Sequence, residues 1–114
     1  MNALKNKVQL IGYLGNAPEV KTLESGKKVA SFNVATNESY QNAKGEKVTE
    51  TQWHRVVAWG KVADIAAKYL DKGKEVAIEG KLVNRSYNDK DGNKKQVTEI
   101  YANELLLLSK PINA

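Results

Sequence analysis

A chain of 114 residues has room for one domain with a modest core, and a hydrophobic content of 41% is that of a folded globular chain rather than a disordered one. The absence of cysteine excludes disulfides, thiolate metal sites and a cysteine nucleophile together. Eighteen Lys and Arg against thirteen Asp and Glu leave a net charge of +5, which favours polyanions or anionic surfaces as partners.

The N-terminal stretch from Met1 to Lys7 lacks the apolar run of a secretory signal, and the longest purely apolar runs, such as Leu105 to Leu108, are far shorter than a membrane span. A cytoplasmic location is expected. Residues 4–15 read as a strand with Val8, Leu10, Gly12 and Leu14 on one face and Gln9, Ile11 and Tyr13 on the other. Two largely apolar faces point to a strand curled into a closed sheet, with Gly12 or Gly15 permitting the bend. Asn16, Ala17 and Pro18 break it, a short strand follows at residues 19–23, and Glu24 to Lys27 make a turn.

Residues 28–37 alternate again, with Ala30, Phe32, Val34 and Thr36 on one side. The polar segment 38–47 is expected to be an exposed loop or hairpin tip, and residues 48–59 a long strand. Val62, Ile65, Ala66 and Tyr69 recur at helical spacing in 61–71, with Gly73 where a stop belongs. A strand at 75–87, a polar tip at 88–93 and a strand at 94–108 complete the chain, with no linker, low-complexity tract or internal repeat apparent. With the short strand at 19–23 left out of the count, three strands, a helix and two more strands with long hairpins is the layout of the OB-fold, an all-β, five-stranded Greek-key barrel with one helix between strands 3 and 4. An SH3-like barrel would lack the helix, and a ferredoxin-like fold would need two.

Within the long strand, Trp53, Arg55 and Trp59 share one parity while His54, Val56 and Ala58 share the other. Both tryptophans of the chain therefore lie on one face with a guanidinium between them. Such a face suits unpaired bases, which stack on rings while their phosphates meet cations. The plainer alternative is a strand buried on both sides with Arg55 snorkelling out.

Tyr40 lies among polar residues with no apolar neighbour to pack against, and Tyr87 ends a strand whose face carries Lys81, Val83 and Arg85. Both join Trp53 and Trp59 as candidate stacking platforms, although Tyr87 fits a cross-strand hairpin contact equally well on local grounds. Phe32, Tyr69 and Tyr101 sit in apolar periodic patterns and are assigned to the core or a subunit contact. The cations flanking the platforms are Arg55, Lys61, Lys72, Lys81 and Arg85. Stacking and phosphate contact read no base sequence, so weak sequence preference is expected.

Other chemistries find little support. Gly-Lys pairs recur at Gly26-Lys27, Gly60-Lys61, Gly73-Lys74 and Gly80-Lys81, but none completes a phosphate-cradling P-loop. The tip around Asp89 to Gly92 is in the wrong register for a calcium loop and reads as a hairpin turn. The single histidine, His54, faces away from the tryptophans with no partner spaced for catalysis, so a packing or subunit-interface role is expected. The acids are scattered rather than clustered for a nuclease metal site, and neither a metal nor a cofactor is expected.

The ordered segments Asn6-Lys7-Val8, Gly12-Tyr13-Leu14-Gly15, Pro18-Glu19-Val20, Ala35 to Tyr40, Trp53-His54-Arg55-Val56-Val57, Gly60-Lys61, Tyr69 to Gly73 and Ile78-Glu79-Gly80 closely resemble the bacterial single-stranded-DNA-binding protein family. The resemblance covers roughly residues 4–108. It implies an OB-fold that binds single-stranded DNA in replication, recombination and repair, close to the nucleoid, and a homotetramer of two-fold symmetry, a dimer being the alternative. The family's stacking aromatics fall on Tyr40, Trp53, Trp59 and Tyr87, and its interface histidine on His54. Tyr40 and Tyr87 stand where the best-known members carry Trp, and Trp59 where they often carry Phe. Residues 1–108 are expected to form the DNA-binding domain and 109–114 a short extension. Typical members continue into a Gly/Pro/Gln-rich tail with an acidic, Phe-terminated tip that recruits replication and repair enzymes. Here no acid follows Glu104, so the sequence reads either as a truncated piece of such a protein or as a short family member, and in both cases tail-mediated recruitment is not expected of it. Two competing readings are an interaction module of the replication-restart type and a small nuclease.

Overall fold

A computed structural model describes residues 5–108, so the expected extension at 109–114 lies outside the described residues. The elements are β1 (Val8–Leu14), β2 (Glu19–Thr22), β3 (Lys28–Gln41), β4 (Lys47–Trp59), α1 (Gly60–Tyr69), β5 (Glu75–Asn88) and β6 (Lys94–Leu107). They form one sheet in the order β1-β5-β6-β4-β3-β2, which closes on itself through a further β1–β3 pairing. All ladders are antiparallel except β4–β6, which is parallel over Val56–Ala58 and Ile100–Ala102.

β1 and β2 lie end to end along the same edge of β3: Leu14 pairs with Val34, and Glu19 with Ser31. The amide of Gly15 donates to the Asn33 carbonyl and continues the ladder between them. The two segments therefore act as one interrupted barrel strand, which gives five strands with the helix between the third and fourth, as the OB-fold layout requires. Closure brings the β3 backbone hard against β1 at Gly12, where a Cβ would collide with the Ala35 carbonyl oxygen. Only glycine admits this approach.

Inward-facing residues fill the barrel: Phe32, Val34, Val56, Val76, Ile78 and Ile100 are almost fully buried. α1 packs across the barrel with Ala63 and Ala66, and Leu70 follows them into the core. The buried helical face is thus rotated from the expected one. Ile65 and Tyr69 are exposed, because two alanines let the helix sit closer to the sheet than a larger stripe would. Tyr101 also lies outside the core, the first of the two places assigned to it. Ile100 and Ala102 point inward, which turns Tyr101 to the outer face.

β3 runs to Gln41, so Tyr40 stands on a strand rather than in the polar loop expected at 38–47. The strand continues into solvent because its hairpin carries its own supports. Thr51 Oγ1 donates to Asn37 Oδ1 at 2.7 Å, and at the tip Asn42 Oδ1 accepts the amides of Lys44 and Glu46. The β5–β6 hairpin repeats this construction. Thr98 Oγ1 donates to Asn84 Oδ1 at 2.7 Å, and Asp89 Oδ1 accepts the amides of Asp91 and Asn93. Gly45 and Gly92 occupy the same left-handed position, with φ of 79° and 81°. Asn37, Ser39, Tyr40, Asn42, Gly45, Lys47 and Thr51 recur in order and spacing as Asn84, Ser86, Tyr87, Asp89, Gly92, Lys94 and Thr98. The chain therefore does contain an internal repeat, one hairpin long.

Candidate nucleic-acid interface

The outer face of β4 presents Trp53, Arg55, Val57 and Trp59 in succession, because Val56 and Ala58 fill the barrel behind them. On the β3 side the register places Ala35 beside Trp53 and Asn33 beside Arg55. On the other side β6 contributes Glu99 and Tyr101, and β5 contributes Lys81 and Arg85. Trp53 is 62% exposed, a high value for an indole. Its ring lies over Gly15, where any Cβ would strike it. A hollow of about 450 Å³ opens between Trp53, Arg55, Asn16, Ser31 and Asn33.

Trp59 is half-buried and meets Tyr101 with ring centroids 6.1 Å apart at 58°. Lys27 Nζ stands 5.7 Å from the Trp59 ring centroid. These two rings line a second hollow of about 510 Å³ together with Lys27, Lys81 and Asn103. The second hollow thus joins two rings to two lysines, and the first joins Trp53 to the Arg55 guanidinium with Glu19 also on its wall; an aromatic surface beside a cation is the pairing that nucleotides require.

Between the hollows lies a bridged charge cluster. Arg55 Nε donates to Glu99 Oε2 at 2.9 Å, and Arg85 Nε donates to Glu99 Oε1 at 2.8 Å. The Glu99 side chain is 3% exposed, against 44% for Arg55 and 49% for Arg85. The Arg85 hydrogen bond holds the Glu99 carboxyl below the ordinary glutamate range; burial opposes this shift and Arg55 reinforces it.

The hairpins carry the two tyrosines in different settings. Tyr87 is exposed, with the Arg85 guanidinium 5.9 Å from its ring, whereas the exposed Tyr40 donates its hydroxyl to Glu50 Oε1 at 3.2 Å. Of the other anticipated residues, Lys61 lies in the first turn of α1. Lys72 sits in a turn fastened to Leu14, whose carbonyl accepts the Gly73 amide. Neither lysine lines either hollow. His54 Nε2 lies 2.9 Å from Thr36 Oγ1 on the neighbouring strand, away from the indoles. Sequence reasoning missed Lys27, Glu99 and Tyr101. Strict alternation through Glu99-Ile100-Tyr101-Ala102 was the available signal for the last two. Among the described residues, no group of three or more His, Asp or Glu is placed to hold a metal ion, and no helix is long and apolar enough to cross a membrane.

The single-strand binding protein family matches residues 5–108. The chain belongs to this family. It is 49% identical over 104 residues to single-stranded DNA-binding protein 1 of Chlorobaculum tepidum, covering 90% of this chain and 64% of that one. It is 43% identical over 103 residues to the single-stranded DNA-binding protein of Neisseria meningitidis, covering 90% and 59%. The chain thus spans about three-fifths of the length of these curated relatives. Among solved structures, the Plasmodium falciparum SSB in complex with ssDNA superposes with a TM-score of 0.84 at 38% identity, covering 91% of this chain and 95% of that one. The Thermus aquaticus single-stranded DNA binding protein, a deletion mutant, gives 0.79 at 29% identity, covering 91% and 50%. These likenesses agree with the closed barrel described above.

Proposed function

We propose that this chain binds single-stranded DNA with little dependence on base sequence, protecting and organising unpaired strands during replication, recombination and repair. The observation that carries this reading is the outward row Trp53-Arg55-Trp59, two accessible indoles with a guanidinium between them. Bases stack on Trp53 and Trp59, and on Tyr87 and Tyr40 at the hairpins. Arg55, Lys81, Arg85 and Lys27 meet the phosphates, with Lys61 and Lys72 adding long-range attraction. Phosphate neutralisation releases counterions, so affinity should fall as salt rises. The relatives named for single-stranded DNA, and the neighbour solved with it, support the same reading.

The role is binding rather than catalysis, and it belongs to residues 1–108, in the cytoplasm at the nucleoid. The replication-restart alternative relies less on stacking aromatics, and the exposed Trp53 with the half-buried, outward Trp59 counts against it. Self-association completes the reading. Ile11 and Leu106 are each 62% exposed on the outer face of β1, β5 and β6, a surface suited to a second copy. The resemblance favours a homotetramer and assigns His54 to its interface.

Titration with oligo-dT should quench tryptophan fluorescence. Trp53→Ala and Trp59→Ala should each weaken binding by about 1–3 kcal/mol, the magnitude general to stacking in single-strand-binding OB-folds. Unchanged affinity in both variants would overturn the stacking account.

A further inference from the structure

We propose that the buried Glu99 carboxylate is a positioning residue that yokes Arg55 and Arg85 into a paired-guanidinium seat for a backbone phosphate. The inference rests on the single-strand-binding reading and deepens it. Among the described residues Glu99 is the one buried acid, and the two arginines themselves cover it. They arrive from different strands, Arg55 from β4 and Arg85 from β5, and meet on β6 between them. Each uses Nε as its main donor to the carboxylate. Arg55 makes no other described hydrogen bond, and Arg85 adds only a long contact, 3.4 Å, from one Nη to Glu99. Both Nη of Arg55 and the second Nη of Arg85 are therefore left for an external oxyanion, for which a planar guanidinium is well matched.

The seat adjoins the stacking surfaces on either side. Arg55 lines the hollow beside Trp53, and Arg85 lies against the ring of Tyr87. A phosphate held there would belong to a strand whose bases reach those rings. The function of Glu99 is paradoxical on charge alone, since it adds one negative charge to a face that binds a polyanion. Its contribution is order. An unyoked arginine on an open sheet must be immobilised when the phosphate arrives, whereas the yoked pair is already fixed.

The sign of one substitution separates these effects. Glu99→Gln keeps the shape and removes the charge. If Glu99 only dilutes the positive field, the variant binds oligo-dT more tightly and with a steeper salt dependence. If it yokes the arginines, the variant binds about tenfold more weakly, the order expected when two rotamer-rich side chains must be fixed on binding. An oligo-dT with uncharged methylphosphonate linkages supplies the control: wild type and variant should bind it alike, whereas general damage to the face would weaken both strands equally. Tighter or equal binding of ordinary oligo-dT by Glu99→Gln, or equal loss on both strands, overturns the yoke. Should Glu99→Gln fail to fold, Arg85→Lys keeps the charge but removes the fork, and the same pair of strands decides. A wild type that ignores oligo-dT would instead remove the underlying functional reading.

Discussion

Glu99 shows how one side chain links stability to the recognition face. Its carboxyl lies below the ordinary glutamate range in the folded chain, chiefly through the Arg85 hydrogen bond. A group whose folded pKa is depressed contributes stability above its unfolded pKa and loses it as pH falls through the folded one. Melting temperature should therefore drop on acidification from the ordinary glutamate range downward, and Glu99→Gln should flatten that part of the profile. Thermal melts of both proteins between about pH 6 and about pH 3 check this, and parallel profiles would refute the assignment. Glu99 was not legible in the sequence as a buried group. Its outward parity was legible, but an outward acid ordinarily reads as solvated. Its burial depends on arginines from two other strands, which only the sheet register brings together. Trp53 was legible for the opposite reason: its exposure follows from alternation against inward residues of its own strand.

The paired hairpins carry the clearest contrast at the level of elements. They share a tip, a cross-strand Asn–Thr bond and a tyrosine, yet differ in charge. Between Asn37 and Thr51 two lysines face three glutamates, whereas between Asn84 and Thr98 four cations face two aspartates. The Tyr40 hydroxyl is engaged by Glu50, while the ring of Tyr87 lies beside Arg85. A phosphate approaching Tyr40 therefore meets carboxylates, and one approaching Tyr87 meets cations. Tyr87→Ala should weaken oligo-dT binding by about 1–3 kcal/mol, and Tyr40→Ala by clearly less. Parallel fluorescence titrations at low salt measure the difference, and a larger loss at Tyr40 would defeat the charge argument. The succession of strands and helix along the chain was legible from spacing, whereas the length of β3 was not. Beyond Asn37 both faces of the arm are exposed, so the alternation that marks a half-buried strand disappears. The helix face was misread for a related reason, since Ala63 carries little hydrophobic signal yet is fully buried.

On the scale of the molecule, charge and apolar surface pull in opposite directions. Copies carrying a net charge of +5 repel one another, so association requires a compensating burial of apolar area. The face built from β1, β5 and β6 offers this. Ile11, Ala77 and Leu106 lie side by side in register, and a shallow hollow of about 430 Å³ runs beside them over Leu10, Ile78 and Leu105. Neither indole nor either arginine of the proposed DNA surface borders that hollow. Assembly and strand binding should therefore be separable by substitution. Leu106→Glu places a carboxylate on this apolar face without altering the Trp53 or Trp59 hollow. In sedimentation velocity the wild-type chain should run well above its 12.6 kDa mass, and Leu106→Glu should shift toward the single-chain value. The variant should still quench tryptophan fluorescence with a short oligo-dT that one barrel can hold, because its stacking rings and cations are unchanged. A long oligo-dT should bind it more weakly than wild type, since linked barrels raise the effective concentration of neighbouring sites along one strand. If wild type itself sediments as a single chain, the assembly surface is wrong while the stacking face stands. Loss of the short-strand signal in a folded Leu106→Glu protein would instead mean that the two faces are coupled through the shared barrel.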